Sequence, residues 1–202
     1  MANSKITLNY FDIKGRAEII RLVLTWAGKD FVDNRISRED WPALKPKSPF
    51  GQLPYVEIDG KVYGQSLAIS NFFAREFNLY GKSNLDGLII DQVAQLTEDF
   101  IQEIVKVIRA ADPETKAANQ KKVQEEAAPK FWGFYEKLLK ESSGQYFVGD
   151  EVTLADLIAF DVVTGFVSDF TLPLPDSYPL LTALVETIGN NDNIKAYKAK
   201  QQ

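Results

Sequence analysis

The sequence predicts a small α/β domain followed by an all-α domain. Three observations carry this. Strand-spaced apolar residues lie in the first 80 positions, Asp59-Gly60 supplies a hairpin signal among them, and beyond residue 85 the apolar residues recur in steps of three and four. The first strand is read from Ile6, Leu8 and Tyr10, which alternate with polar Lys5, Thr7 and Asn9. After Gly15 the spacing changes to Ala17, Ile20, Val23/Leu24 and Ala27, which is the opening of a helix. Asp30–Ile36 is a second strand, parallel to the first across that helix. Tyr55–Gly64 is two strand-like runs joined at Asp59-Gly60, and a helix follows with Ser66 as its N-cap, running to about Phe77.

This β-α-β, connection, β-β-α order is the outline of a thioredoxin-like half. Turn-rich Asn78–Leu85 marks a linker. Beyond it, Leu85, Ile89, Val93, Leu96, Phe100, Ile104, Val107/Ile108 and Ala111 define one long helix that ends near Asp112-Pro113. A second helix covers roughly Glu114–Lys140, with Pro129 kinking or interrupting it. Thr153 and Asp156 open a third in the manner of a capping box. Pro173 and Pro175 then break the chain before two shorter helices. The expected domains are residues 1–79, a linker at 80–84, and a helical domain at 85–202.

Composition narrows the chemistry. The 202 residues are 45% apolar and 25% charged, as in ordinary globular proteins, and suffice for a substantial core. A net charge of −5 with no basic run argues against nucleic acid or an anionic membrane as partner. With neither an apolar run of membrane-spanning length nor a signal-like start, a cytosolic location is expected. The chain holds no cysteine and no histidine, so thiol catalysis, disulfides, Ser-His or Cys-His pairs and Cys- or His-ligated metals are excluded. An enzyme built from this chain must use Tyr, Ser/Thr, Lys, Arg or carboxylates, or depend on a bound cofactor.

The candidate residues gather around Tyr10. A strand tyrosine ordinarily packs, but the carboxyl end of the first strand in an open α/β sheet is where such folds bind ligands. A phenol stays neutral at pH 7 and can donate to a thiolate or oxyanion. The fixed charge of Arg16 would favour the same anion; alternatively it forms a surface ion pair with Glu18 or Glu39. In Pro49–Gly60, a cis Leu53-Pro54 bond would turn the backbone of Leu53 outward for an extended peptide, whereas the plain alternative is a turn entering a hairpin. Gln65-Ser66 opens a helix whose free N–H groups suit a carboxylate, or is simply a cap. Trp41 and Lys45 lie in a proline-punctuated connection, and Asp99 is most simply a solvated helix residue.

Taken in order, "YFDIKGRAEIIR", "DWPALK", "PFGQLPYVEIDGK", "QSLAIS" and "VGDEVTLADL" resemble the cytosolic glutathione transferases. Within these the likeness is to the sigma class, the group that includes hematopoietic prostaglandin D synthase and the S-crystallins. The resemblance spans essentially the whole chain and is densest over residues 5–77. It implies the glutathione transferase fold, a homodimer, and glutathione as cosubstrate at the domain junction. By resemblance, Tyr10 is the catalytic tyrosine that holds the glutathione sulfur, and Arg16 assists the anion. Trp41 and Lys45 hold the glycyl carboxylate; Gly51, Gln52 and Leu53 clamp the peptide backbone; Gln65 and Ser66 take the γ-glutamyl carboxylate. Asp99 reaches the γ-glutamyl amine across the dimer. Ile13, Ile158 and Val162 line the electrophile pocket. The reactive sulfur thus arrives with the cosubstrate, which accounts for an enzyme lacking His and Cys.

The expected activity is glutathione transfer to hydrophobic electrophiles, a detoxification chemistry, with no metal required. Two alternatives stay open. One is a glutathione-dependent isomerase of prostaglandin type, against which stand Gln95, at a position of the metal-serving acidic cluster of prostaglandin D synthase, and Lys106, near a pocket aromatic. The other is a low-turnover structural or ligand-sequestering protein of crystallin type. The intact "PFGQLP" and the short chain stand against that.

Overall fold

A computed structural model of the chain describes residues 4–142, 145–166, 172 and 174–200. The expected break at Pro173 lies outside the described residues; Pro175 lies within them. The described residues fall into two compact units, one from residues 1–79 together with 190–202, the other from 80–189.

The first unit is an α/β layer. Strands β1 (Ile6–Phe11), β2 (Val32–Ile36), β3 (Tyr55–Ile58) and β4 (Lys61–Gly64) form one sheet in the order β2-β1-β3-β4, with β1 and β2 parallel and the other pairs antiparallel. As the strand alternation predicts, Ile6 and Leu8 are buried, and helix α1 (Glu18–Trp26) buries Ile20, Val23 and Leu24 on the same apolar core. Each such side chain adds roughly 1.5–3 kcal/mol of transfer free energy. Asp59 and Gly60 both take positive φ, 50° and 84°, which matches the hairpin's turn to the twist of its strands. The Asp59 carboxylate accepts from the Lys5 N–H at 2.9 Å, and that bond holds its pKa below the ordinary value.

Between β2 and β3 the expected connection contains a short helix, α2 (Trp41–Leu44), with Pro42 in its first turn where a missing N–H is tolerated. Helix α3 (Ser66–Glu76) follows β4. Here the structure corrects the sequence: Ser66 is the first helical residue, and the cap is Gln65 with φ 72° and ψ 103°. The chain turns so sharply out of β4 that the cap residue is left in a conformation serine's usual capping geometry does not supply.

The second unit is helical. α4 (Asn84–Ile108) opens with a capping box in which Ser83 and Asp86 satisfy each other's backbone. α5 (Pro113–Lys122) and α6 (Ala128–Glu141) are joined by a widened π turn, Val123–Ala127. Pro129 has no N–H to give to the carbonyl of Glu125, and the helix widens in the turn that holds that carbonyl. The core stacks Phe100 on Phe131 at 4.8 Å and sets Trp132 edge-on to Phe100 at 5.3 Å. α7 (Leu154–Asp161) is buried, and α8 (Pro179–Gly189) packs on it and on α6. Glu136 of α6 caps α8 by accepting from Leu180 N–H and Leu181 N–H at 3.0 and 2.9 Å. The final helix, α9 (Asp192–Ala199), packs on α1 and so belongs to the first unit, although it continues the helical run in sequence. Among the described residues no helix is long and apolar enough to cross a membrane.

Candidate active site

Strand register brings the candidate residues of the first unit to one end of the sheet. Tyr10 is the penultimate residue of β1; its neighbour Asn9 pairs with Tyr55, the first residue of β3, and Tyr55 pairs with Gly64, the last of β4. The carboxyl end of β1, the Gly51–Pro54 segment and the start of α3 are therefore adjacent.

Tyr10 is 8% exposed. Its hydroxyl oxygen accepts a hydrogen bond from the Arg16 backbone N–H at 3.2 Å. Because the oxygen is the acceptor in that contact, its own proton stays available to an anion. Gly15 makes this approach feasible: with φ 44°, it turns a bare Cα toward the phenol. Arg16 follows in a single 3₁₀ turn, Gly15–Ala17, which leads into α1. Ile13, in the same turn region, is 49% exposed.

The Leu53-Pro54 peptide bond is cis, as the proline placement suggested. Leu53 is partly exposed and Gln52 exposed, just before β3 begins. The Lys45 side chain runs along Gly51, its Cε 3.4 Å from where a Cβ would stand, so these two positions adjoin. Trp41 opens α2 and sets its ring edge-on to Phe11 at 6.1 Å, tying α2 to the residue after Tyr10. At α3, Gln65 makes no side-chain cap, and the N–H groups of Ser66, Leu67 and Ala68 have no acceptor within the helix. That is a cradle for a carboxylate at the positive end of the helix dipole.

Nine of the predicted glutathione-site residues thus share one unit and one sheet end. Asp99 does not: it is exposed in the middle of α4. Ile158 and Val162 lie one helical turn apart in the second unit, at 6% and 1% exposure, as core residues there. Among the described residues no group of three or more His, Cys, Asp or Glu side chains is arranged to hold a metal ion.

Sequence reasoning missed Arg21. It is fully buried, its Nε faces both carboxylate oxygens of Asp33 at 3.1 Å, and its Nη1 donates to the carbonyls of Ile13 and Lys14 at 3.1 Å each. Its Cζ stands 5.9 Å from the Tyr10 ring centroid. The signal was present: an arginine beside Ile20 on the face of α1 that also carries Ala17 and Leu24 is a charge in the core, which occurs only when paired.

Comparison with known proteins gives two family-model matches: "Glutathione S-transferase, N-terminal domain" over residues 6–75, and "Glutathione S-transferase, C-terminal domain" over residues 98–201. The chain is 38% identical over 200 residues to glutathione S-transferase 1 of Ascaris suum, covering 96% of this chain and 95% of that protein. It is 33% identical over 201 residues to hematopoietic prostaglandin D synthase of Gallus gallus, covering 100% and 98%. A solved Nu-class GST of Haemonchus contortus superposes with a TM-score of 0.88 at 36% identity, covering 98% of each chain.

Proposed function

The chain belongs to the glutathione S-transferase family and is a transferase; on that premise we propose that it activates glutathione as a thiolate and adds it to hydrophobic electrophiles. The observation that carries the proposal is the Tyr10 hydroxyl, oriented by the Arg16 N–H with its proton unused. Donated to the glutathione sulfur, that proton makes a charge-assisted hydrogen bond of about 1.5–3 kcal/mol. Such a bond lowers the thiol pKa by about 1–2 units from about 8.5. At pH 7 the thiolate fraction would rise from about 3% to between about 25% and 75%. The effect is large enough to make the thiolate a major species.

The tripeptide is assigned from the family resemblance. Arg16 supplies a fixed positive charge for the sulfur anion. Trp41, through its indole N–H, and Lys45 take the glycyl carboxylate. Gly51, Gln52 and Leu53 offer an outward backbone to the cysteinyl residue. Gln65 and Ser66 hold the γ-glutamyl carboxylate at the start of α3. The exposed Phe50, Val62, Tyr63 and Phe72 favour a homodimer, since burying such a group is worth more than leaving it wet. Asp99 is assigned to the γ-glutamyl amine of glutathione held by a second copy. Exposed Ile13 and, in the helical unit, Ile158 and Val162 are assigned to electrophile binding on the family resemblance alone. A sigma-class assignment and a cytosolic location complete the reading; the likeness to hematopoietic prostaglandin D synthase favours glutathione-dependent isomerisation as the second one.

The test is Tyr10→Phe. Conjugation of chlorodinitrobenzene by the purified variant is expected to fall about tenfold or more at pH 6.5, with the pKa of bound glutathione raised. An unchanged rate and thiol pKa would overturn the proposal, and product analysis with a prostaglandin endoperoxide separates the isomerase reading.

A further inference from the structure

The turn that presents Tyr10 is held from beneath by a chain of buried polar groups that ends on α9. Arg21 is 0% exposed, so its charge is removed from water and must be met by partners. Asp33 meets its Nε, and Glu18, 4% exposed, meets its Nη1 at 3.0 Å. The same Nη1 reaches the carbonyls of Ile13 and Lys14, the two residues immediately before Gly15. The position of the guanidinium therefore sets the position of the turn, and the turn's Arg16 N–H sets the Tyr10 hydroxyl. The guanidinium also stands beside the Tyr10 ring itself, within cation–π distance.

Glu18 has two oxygens. Oε2 is taken by Arg21, and Oε1 accepts from the Tyr197 hydroxyl at 2.9 Å. Burial pushes the Tyr197 phenol up, so it is neutral and a donor throughout the working range. On the same helix Lys198 is also near Glu18, its ammonium pulled down by burial and by Lys14 and pulled up by Glu18. A buried carboxylate with one oxygen unpaired would move toward another donor, and Arg21 would move with it.

We propose that Tyr197 is a positioning residue: by holding Glu18 it fixes Arg21, and through Arg21 the turn that aims the Tyr10 hydroxyl at the glutathione sulfur. This rests on the glutathione reading above. The phenol of Tyr197 and the carboxylate of Glu18 act at one remove, through Arg21 and the backbone of residues 13–16.

The test uses the whole chain, two variants and a control variant. Tyr197→Phe removes only the hydroxyl. Glu18→Gln keeps an acceptor for Tyr197 and removes the charge that holds Arg21. For each, the pKa of bound glutathione is read from thiolate absorbance and from the pH profile of kcat/KM for chlorodinitrobenzene. Both variants are expected to raise that pKa by about half to one unit, which lowers kcat/KM about three- to tenfold below it and lets the rate recover at high pH. Asn193→Ala, which removes the contact of α9 with the Trp26 carbonyl, is expected to lower the melting temperature and leave the profile in place. A Tyr197→Phe or Glu18→Gln protein that melts earlier with an unmoved pKa overturns the proposal. Should Tyr197→Phe not fold, an unmoved pKa in Glu18→Gln still overturns the proposal, because Tyr197 acts only through Glu18. A wild-type protein that neither binds nor conjugates glutathione sinks the functional reading instead, so the two failures are distinct.

Discussion

The Tyr10 hydroxyl fills the space that a side chain at Gly15 would need: a Cβ there would stand 2.7 Å from the phenolic oxygen. No carbon sits that close to an oxygen without displacement, and residue 15 also has a φ that L side chains seldom adopt. Gly15→Ala is therefore expected to push the phenol away and reshape the turn. Stability should fall by about 1–2 kcal/mol, and conjugation activity by considerably more than the lost folded fraction. Steady-state kinetics alongside a melting curve separates the two effects.

Gln65 offers the opposite trade. A glutamine at φ 72° and ψ 103° costs on the order of 1–3 kcal/mol that the surrounding fold sustains. Gln65→Gly is expected to leave the melting temperature equal or higher, while the dissociation constant for glutathione rises about tenfold as one polar contact to the γ-glutamyl end is lost. Calorimetric titration reads the second quantity. A glycine variant with unchanged affinity would remove Gln65 from the site.

Asp156 is the residue for which pH should matter most to stability. It is buried beneath the start of α7, accepting from Phe147 N–H at 2.9 Å, Thr153 N–H at 2.7 Å and Thr153 Oγ1 at 2.8 Å, yet burial outweighs these bonds and pushes its pKa up to about 6. The folded state then holds the proton more tightly than the unfolded chain, whose ordinary value is 3.8. This group favours the fold most below pH 3.8, and that contribution is lost as pH rises through about 6. Melting curves of wild type and Asp156→Asn between pH 4 and 7, a window about as wide as the two pKa values require, should converge or cross as pH rises and run parallel above it. Exposed Asp59 and Asp112 and half-buried Asp86, whose pKa values are lowered, act only at the acid end, where their stabilisation is lost as pH falls below 3.8.

Glu136 provides a structural control. Its carboxylate satisfies two backbone N–H groups at the start of α8. Glu136→Ala should cost about 1–2 kcal/mol, a shift of roughly 2–8 °C for a chain of this size, with glutathione affinity of the folded protein unchanged.

What could be seen in the sequence was local. The alternation in β1, the Asp59-Gly60 turn, the Thr153/Asp156 pairing and the proline before β3 are each written within a few residues, and each has its counterpart in the fold. What could not be seen depends on partners far along the chain. Ser66 has the side chain of a cap, but the sharp exit from β4 gives the cap to Gln65. Glu18 looked like a partner for Arg16 on a solvated helix; it is buried between Arg21 and Tyr197. Of the candidate site, the strand pattern points to the end of the sheet where Tyr10 lies, while the roles of the residues around it come from the family resemblance. Ile158 and Val162 came from the family resemblance, which says nothing of what covers them in this chain, and they are buried in the second unit.

The bond between Tyr197 and Glu18 joins residues 179 positions apart. During synthesis, the sequence of the whole sheet is made long before α9 exists, and the Arg21–Glu18 pair waits for the Tyr197 hydroxyl. At elongation rates of about 5–20 residues per second, that interval is about seven to twenty-seven seconds. The nascent chain must therefore carry an unfinished α/β half through the making of every helix that follows, and translation past residue 197 completes it.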